Sequence, residues 1–181
     1  MKVTFRSRGL SAEYAFQVAV ANQMPILFKL DIIYTAHGFV KIPYKCDLYH
    51  GYGQEEASWG QPALRTFLEN FGEQHIKETN GKKPWVGNKG LRDGVKYGKH
   101  TGVSHMRGRG VDIRIWPRCA THDIEDKDYN VEEHVKQIKS YFDNGAIYVA
   151  TSSRTAINGC KKIGVKADYL PDHPSHDHVT I

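Results

Sequence analysis

Two clusters of residues in this chain carry the chemistry of a metal site. The first is Ser104-His105-Met106-Arg107-Gly108-Arg109-Gly110-Val111-Asp112, an imidazole and a carboxylate with six residues between them. The second, His173-Pro174-Ser175-His176-Asp177-His178, supplies three more imidazoles near the end of the sequence. Neutral imidazole nitrogens and a carboxylate oxygen are good ligands for Zn2+. Two His and one Asp leave the fourth position to water, as hydrolysis requires, whereas a closed four-ligand shell leaves no activated water. The candidate ligands of a single Zn2+ ion are therefore His105, Asp112 and His178. His176 and His173 would then sit beside the ion, free to orient water, move a proton or stabilise an oxyanion. An H-x-H element alone also occurs in solvated polar tails. The full S-H-x-x-G-x-x-V-D string adds several independent requirements, and together they favour a metal site.

The elements that must position these groups follow from periodicity. From Val111 to Trp116 the sequence alternates, so Val111, Ile113 and Ile115 share one face while Asp112 turns to the other. His176 and His178, two apart on a terminal strand, share a face opposite Val179 and Ile181. His105 falls in a Gly-rich turn before the first of these strands. Elsewhere, Ser11 caps a predicted helix carrying Tyr14, Ala15, Val18 and Ala19, and residues 26–34 and 39–45 read as strands. Pro62 opens a helix through Leu64, Phe67, Leu68 and Phe71 to Gly72. The stretch 79–103, with six glycines and five lysines, reads as loop. Asn130 with Glu133 starts a helix bearing Val131, Val135, Ile138 and Phe142. Ile147 to Ala150 reads as a short strand and Ser153 to Ile163 as a weaker helix. The irregular mixture predicts an α+β fold, with a small antiparallel sheet carrying the zinc site and helices flanking it.

Composition sets the outer limits. With 181 residues, 40% hydrophobic and 25% charged, the chain suits one domain with an extension and is not broadly disordered. No apolar run reaches the ~18–20 residues of a membrane span. A net charge of +5 and a pI near 9.0 suit an anionic partner, either nucleic acid or an acidic polymer such as a bacterial wall. No nucleic-acid-binding motif is recognisable, so nucleic acid is not the expected partner. Cys46, Cys119 and Cys160 lack zinc-knot spacing and read as small buried side chains, with one Cys119–Cys160 bridge open to a protein working outside the cytoplasm. Lys2, Arg6, Arg8 and Ala19-Val20-Ala21 resemble parts of a signal peptide. Ser11, Glu13 and Gln17 interrupt its apolar centre, so the segment reads as part of the folded protein.

At the level of motifs the chain resembles the lysostaphin, D-Ala-D-Ala metallopeptidase and hedgehog superfamily, and most closely the penicillin-insensitive murein endopeptidases. The family string S-H-x-x-G-x-x-V-D-I-W appears here as Ser104 through Ile113-Arg114. The family ending H-x-x-H-x-H-V appears as His173-Pro174-Ser175-His176-Asp177-His178-Val179. Trp59-Gly60, Pro62, Phe67-Leu68 and Val86-Gly87-Asn88 are weaker echoes, so the likeness spans roughly residues 57–181. The resemblance implies zinc held by His105, Asp112 and His178, with His176 and His173 as catalytic histidines. Departures stand where the family has a further histidine (Gly102), an acidic residue (Gly110) and two Asp (Pro174-Ser175). Ser175 also occupies the place of a carboxylate base used by some relatives, so a histidine must serve instead.

The resulting expectation is a zinc metallopeptidase of residues 51–181, with residues 1–50 an extension or part of the same fold. Its reaction is amide hydrolysis in peptidoglycan stems or cross-links. Arg107, Arg109 and Ser104 are the expected substrate-binding residues, and Lys89, Arg92, Lys96 and Lys99 add loop charge for wall carboxylates. Tyr97 and Trp116 are candidates to line the cleft. Alternatives are a D-Ala-D-Ala carboxypeptidase or dipeptidase, and a non-catalytic zinc-containing wall-binding protein. The expected place of action is the cell wall, reached by release during lysis of the kind phages perform.

Overall fold

The structure is a computed structural model, and the residues it describes are 3–7, 10–14, 38–94, 103–116, 124, 127–171 and 173–181. The chain divides into two compact units, Met1–Asp31 and Ile32–Ile181. In the first, β1 (Val3–Ser7) and β2 (Leu10–Tyr14) form an antiparallel hairpin with Phe5 opposite Ala12. Ser11 and Tyr14 are therefore strand residues, and the helix expected to start at Ser11 does not begin there. The alternation Leu10, Ala12, Tyr14 fits a strand as well as the i, i+3 spacing fits a helix, and cross-strand pairing decides between them. Ala15, Val18, Ala19 and the strand expected at 26–34 lie outside the described residues.

The second unit holds everything else. Residues 38–50, expected with the N-terminal extension, supply Val40, Ile42 and Tyr49 to its core. Only β3 (Val40–Lys41) of the predicted 39–45 strand forms, pairing with β5 (Trp59–Gly60), because Pro43 and a bend at Tyr44-Lys45 end it. Between them lies β4 (His50–Gly51). Helix α1 (Pro62–Glu78) starts with Pro at its first turn and runs past Gly72, its buried face continuing from Leu64, Phe67, Leu68 and Phe71 to His75. The 79–103 stretch is not all loop: β6 (Trp85–Val86) joins the sheet, and α2 (Val103–Met106) begins at its end.

Beyond α2, the predicted elements of the C-terminal half form. They are β7 (Gly110–Arg114), α3 (Val131–Asp143), β8 (Tyr148–Thr151), α4 (Arg154–Lys162) and, after an unexpected two-residue strand β9 (Asp168–Tyr169), β10 (His176–Thr180). Asn130 caps α3 by accepting from the backbone N–H of Glu132 and Glu133 at 3.0 and 3.1 Å. Ser153 caps α4 through Ala156 N–H.

The α+β class holds, but the sheet is larger than expected and mixed. Six strands run in the order β4-β6-β7-β10-β8-β9, antiparallel at the centre and parallel in the β4–β6 and β8–β9 pairs. The added strands are two residues long, too short to show a period in the sequence. Helices α1, α3 and α4 contribute Phe71, Tyr141 and Ile157 to one core with Val111, Ile113, Val149 and Val179, so they cover a single face. The opposite face of β7 and β10 carries Asp112, Arg114, His176 and His178. No helix among the described residues is long and apolar enough to cross a membrane. Cys46 and Cys160 are free thiols, and Cys119 lies outside the described residues.

Candidate metal centre

Register alone brings the two motifs together. In the antiparallel β7–β10 pair His178 lies directly opposite Asp112, and His176 opposite Arg114. Val111, Ile113 and Val179 point into the core, so these four side chains share the other face. His105 arrives from α2. Gly108 lets the chain turn from that helix into β7: its φ is +66°, and a Cβ there would press on Phe39 at 2.7 Å. This accounts for the glycine three residues after the first histidine.

The ligand atoms of His105, Asp112 and His178 lie within 4.8 Å of one another, a group able to bind a metal ion. Asp112 Oδ1 is 3.3 Å from His105 Nε2 and 3.2 Å from His178 Nδ1. The remaining nitrogen of each ring is engaged elsewhere. His105 Nδ1 donates to the Lys89 carbonyl, and His178 Nε2 lies 2.7 Å from Ser104 Oγ. The Lys89 carbonyl can only accept, so His105 Nδ1 carries a proton and Nε2 faces Asp112; the Ser104 hydroxyl, able to donate or accept, anchors the His178 ring with Nδ1 turned to the same carboxylate. Asp112 is only 4% exposed. Burial alone would raise its pKa, but hydrogen bonds from His105 and His178 prevail and hold it well below the usual carboxylate range. His105 is the counterpart: burial opposes its charge, and the Asp112 carboxylate outweighs burial and raises it.

His176 stands beside this group. Its Nε2 is buried with no hydrogen-bond partner, 4.0 Å from Asp112 Oδ1, while Nδ1 lies 3.2 Å from Ser175 Oγ. Burial lowers its pKa against the pull of Asp112, so the ring is neutral near pH 7. His173 meets His176 edge-on at 4.9 Å between ring centres, and its Nδ1 lies 2.8 Å from the Pro171 carbonyl. The second motif therefore delivers all three imidazoles to one place.

The expected substrate residues divide. Ser104 directs its hydroxyl at His178 and so acts on the ligand set. Arg107 and Arg109 are exposed and line a separate concavity with Phe39, Gln61, Asp93 and Met106; Arg109 Nε bonds Gln61 Oε1 at 3.3 Å. Lys89 is not a loop cation. It is 1% exposed, donates to the Gly87 carbonyl and has its pKa lowered to about 8 by burial. Arg92 lies over the Trp59 ring, and Trp116 packs edge-on against His75, away from the metal group. Lys96, Tyr97 and Lys99 lie outside the described residues, as do His100 and Gly102.

No family model matches the chain, and no curated protein matches it. The case for function therefore rests on the site.

Two features of the site were not legible in the sequence. The alternation of β7 already puts Arg114 on the face of Asp112, but Tyr52 joins it there unannounced, its ring centre 4.4 Å from the guanidinium carbon. Tyr52 reaches this face because residue 87 is glycine, where any Cβ would collide with its ring. No local pattern at residue 52 announces this. Beneath the site, His134 Nε2 meets both Asp177 carboxylate oxygens at 3.0 Å, and Tyr141 donates to the same group at 3.3 Å. His134 and Asp177 are both fully buried.

Proposed function

We propose that this chain is a zinc-dependent peptidoglycan hydrolase that cleaves an amide in a peptide stem or cross-link. One observation carries the reading: two histidines and an aspartate converge with their outer nitrogens already engaged, and an unpartnered neutral histidine stands next to them. A tetrahedral zinc shell with ligands near 2.0–2.1 Å has edges of about 3.3 Å. The two Asp112–histidine separations, 3.3 and 3.2 Å, suit that ion. Bound there, zinc supplies acidification of a water and polarisation of the scissile carbonyl.

The chain's own residues supply the rest. Lys89 O and Ser104 Oγ hold the rings of His105 and His178 in place, so the ligand set is oriented before metal arrives. His176 Nε2, neutral and unpartnered, takes a proton from the attacking water or donates to the developing oxyanion. His173 keeps Nδ1 on Pro171 O, which leaves Nε2 to exchange a proton with the leaving amine. These two roles are interchangeable between the rings. The family-like motifs and the basic charge point to a wall peptide as substrate and to the cell wall as the place of action.

The test is digestion of purified peptidoglycan by the zinc-loaded chain, beside a chelated sample and His178→Ala, with products read by mass spectrometry. Zinc-dependent release of peptides from cross-linked muropeptides is expected. Stoichiometric zinc without cleavage would leave a metal-stabilised binding protein instead.

A further inference from the structure

On the face that presents the metal group, Arg114 is a cation outside the ligand set. Arg114 follows Asp112 by two residues on β7, so both side chains project from the same side of the sheet, about 6.6 Å apart along the strand. Across the ladder its opposite residue is His176. Its guanidinium carbon lies over the Tyr52 ring, 4.4 Å from the ring centre, and it donates a long hydrogen bond, 3.5 Å, to the Ser175 carbonyl. Among the described residues no carboxylate pairs with it. Arginine beside a buried aspartate would ordinarily form that pair, but here Asp112 is turned to His105 and His178 instead. The Tyr52 hydroxyl is buried beside the guanidinium with no hydrogen-bond partner. The motif that the sequence otherwise follows has Trp at this position, so the charge is a property of this chain.

We propose that Arg114, held on the Tyr52 ring, is the receptor for a free carboxylate of the substrate, so that the site selects peptides bearing a carboxylate within about two residues of the scissile amide. This deepens the hydrolase reading and rests on it. The geometry supports the assignment in three ways. The Tyr52 ring holds the guanidinium over its face by cation–π attraction, and the planar guanidinium's N–H groups form the fork that donates to a carboxylate. Two residues of strand match the reach of about two residues of an extended peptide lying along the face. The cation is half-buried and has no carboxylate partner among the described residues, so ligand binding does not require it to leave an ion pair.

The carboxylate has two sources in such peptides, the chain terminus or an internal acidic residue, and both present the same group to Arg114. The experiment therefore uses three stem peptides: one with both carboxylates free, one amidated at the C-terminus, and one amidated at the internal carboxyl. Wild type, Arg114→Gln and Arg114→Lys are compared at equal zinc content and equal thermal midpoint. A charge-assisted hydrogen bond contributes about 1.5–3 kcal/mol, which is ~10- to 150-fold. Wild type is expected to favour the free peptide over one of the amidated peptides by that factor in kcat/KM. Arg114→Gln is expected to bring that ratio to about one, and Arg114→Lys to fall between. The arm that loses turnover identifies the carboxylate. Calorimetric binding of the same peptides to the chelated protein follows the same preference without needing turnover. Binding preference with no cleavage would sustain the anchor and sink the hydrolase. Equal treatment of all three peptides by the wild type, or an equal loss on all three in Arg114→Gln, overturns the anchor.

Discussion

Ser104 illustrates how much a single hydroxyl decides here. Its Oγ holds His178 Nε2 at 2.7 Å, which orients the ring with Nδ1 toward Asp112. Ser104→Ala is expected to weaken zinc binding about 10- to 100-fold, as loss of a group supporting a ligand usually does. Competition with a chromophoric chelator measures this directly, and an unchanged affinity would show that the hydroxyl orients nothing. His176 makes the complementary case. It is no ligand in the group of three, so His176→Ala is expected to keep stoichiometric zinc while lowering kcat by ~10^2- to 10^4-fold, the range of proton-transfer catalysis. Metal analysis and turnover on the same sample separate the two effects. Zinc lost in parallel with activity would reassign His176 to the ligand set.

Strand β10 works on both of its faces. His176 and His178 serve the site, while Asp177 turns inward to His134 on α3 and Tyr141 reaches the same carboxylate. The helix therefore buries a histidine where the sequence suggested an aliphatic stripe. Val131, Val135 and Phe142 are only partly covered, and His134, Ile138 and Tyr141 take the buried positions. Apolar periodicity could not show this, because the group that makes His134 tolerable lies 43 residues away. Removing one partner of a buried pair leaves the other uncompensated. His134→Ala is expected to destabilise the fold by about 3–5 kcal/mol, read from urea midpoints. It should also lower zinc affinity through the loosened strand. A variant as stable as wild type would mean the pair contributes only specificity.

For the whole molecule, stability is expected to depend on pH and on metal. His75, 4% exposed beneath Phe71 and Trp116, has its pKa lowered by burial from 6.5 to about 4. In that window the unfolded chain binds a proton that the folded chain refuses, so stability rises with pH between those values. Acidification from above 6.5 to about 4 should therefore cost about 3 kcal/mol from this residue alone. In His75→Leu the difference between denaturant midpoints at about pH 7 and about pH 4 should shrink by that amount. An unchanged slope would place the acid sensitivity elsewhere. Metal acts in the same currency. Because the donors converge only in the folded chain, zinc at a thousandfold excess over Kd should add about 4 kcal/mol of stability. A chelator should reverse the rise in Tm, and a Tm indifferent to zinc would argue against the site.

The two motifs, the face on which Asp112 lies, the shared face of His176 and His178, and the C-terminal helices and their caps were determined by the sequence itself. Each depends on neighbours within a few residues, where periodicity and local hydrogen bonding act. Tertiary structure decided what depends on distant partners. It paired two-residue strands into a mixed sheet, buried Lys89 under Tyr49, set Arg107 and Arg109 in a concavity of their own and brought Tyr52 onto Arg114 beside the metal group. It also turned residues 10–14 into a hairpin strand, because backbone pairing across β1 outweighs a weak helical spacing. Local physics chose the ligands, and only the register between β7 and β10 could bring them together.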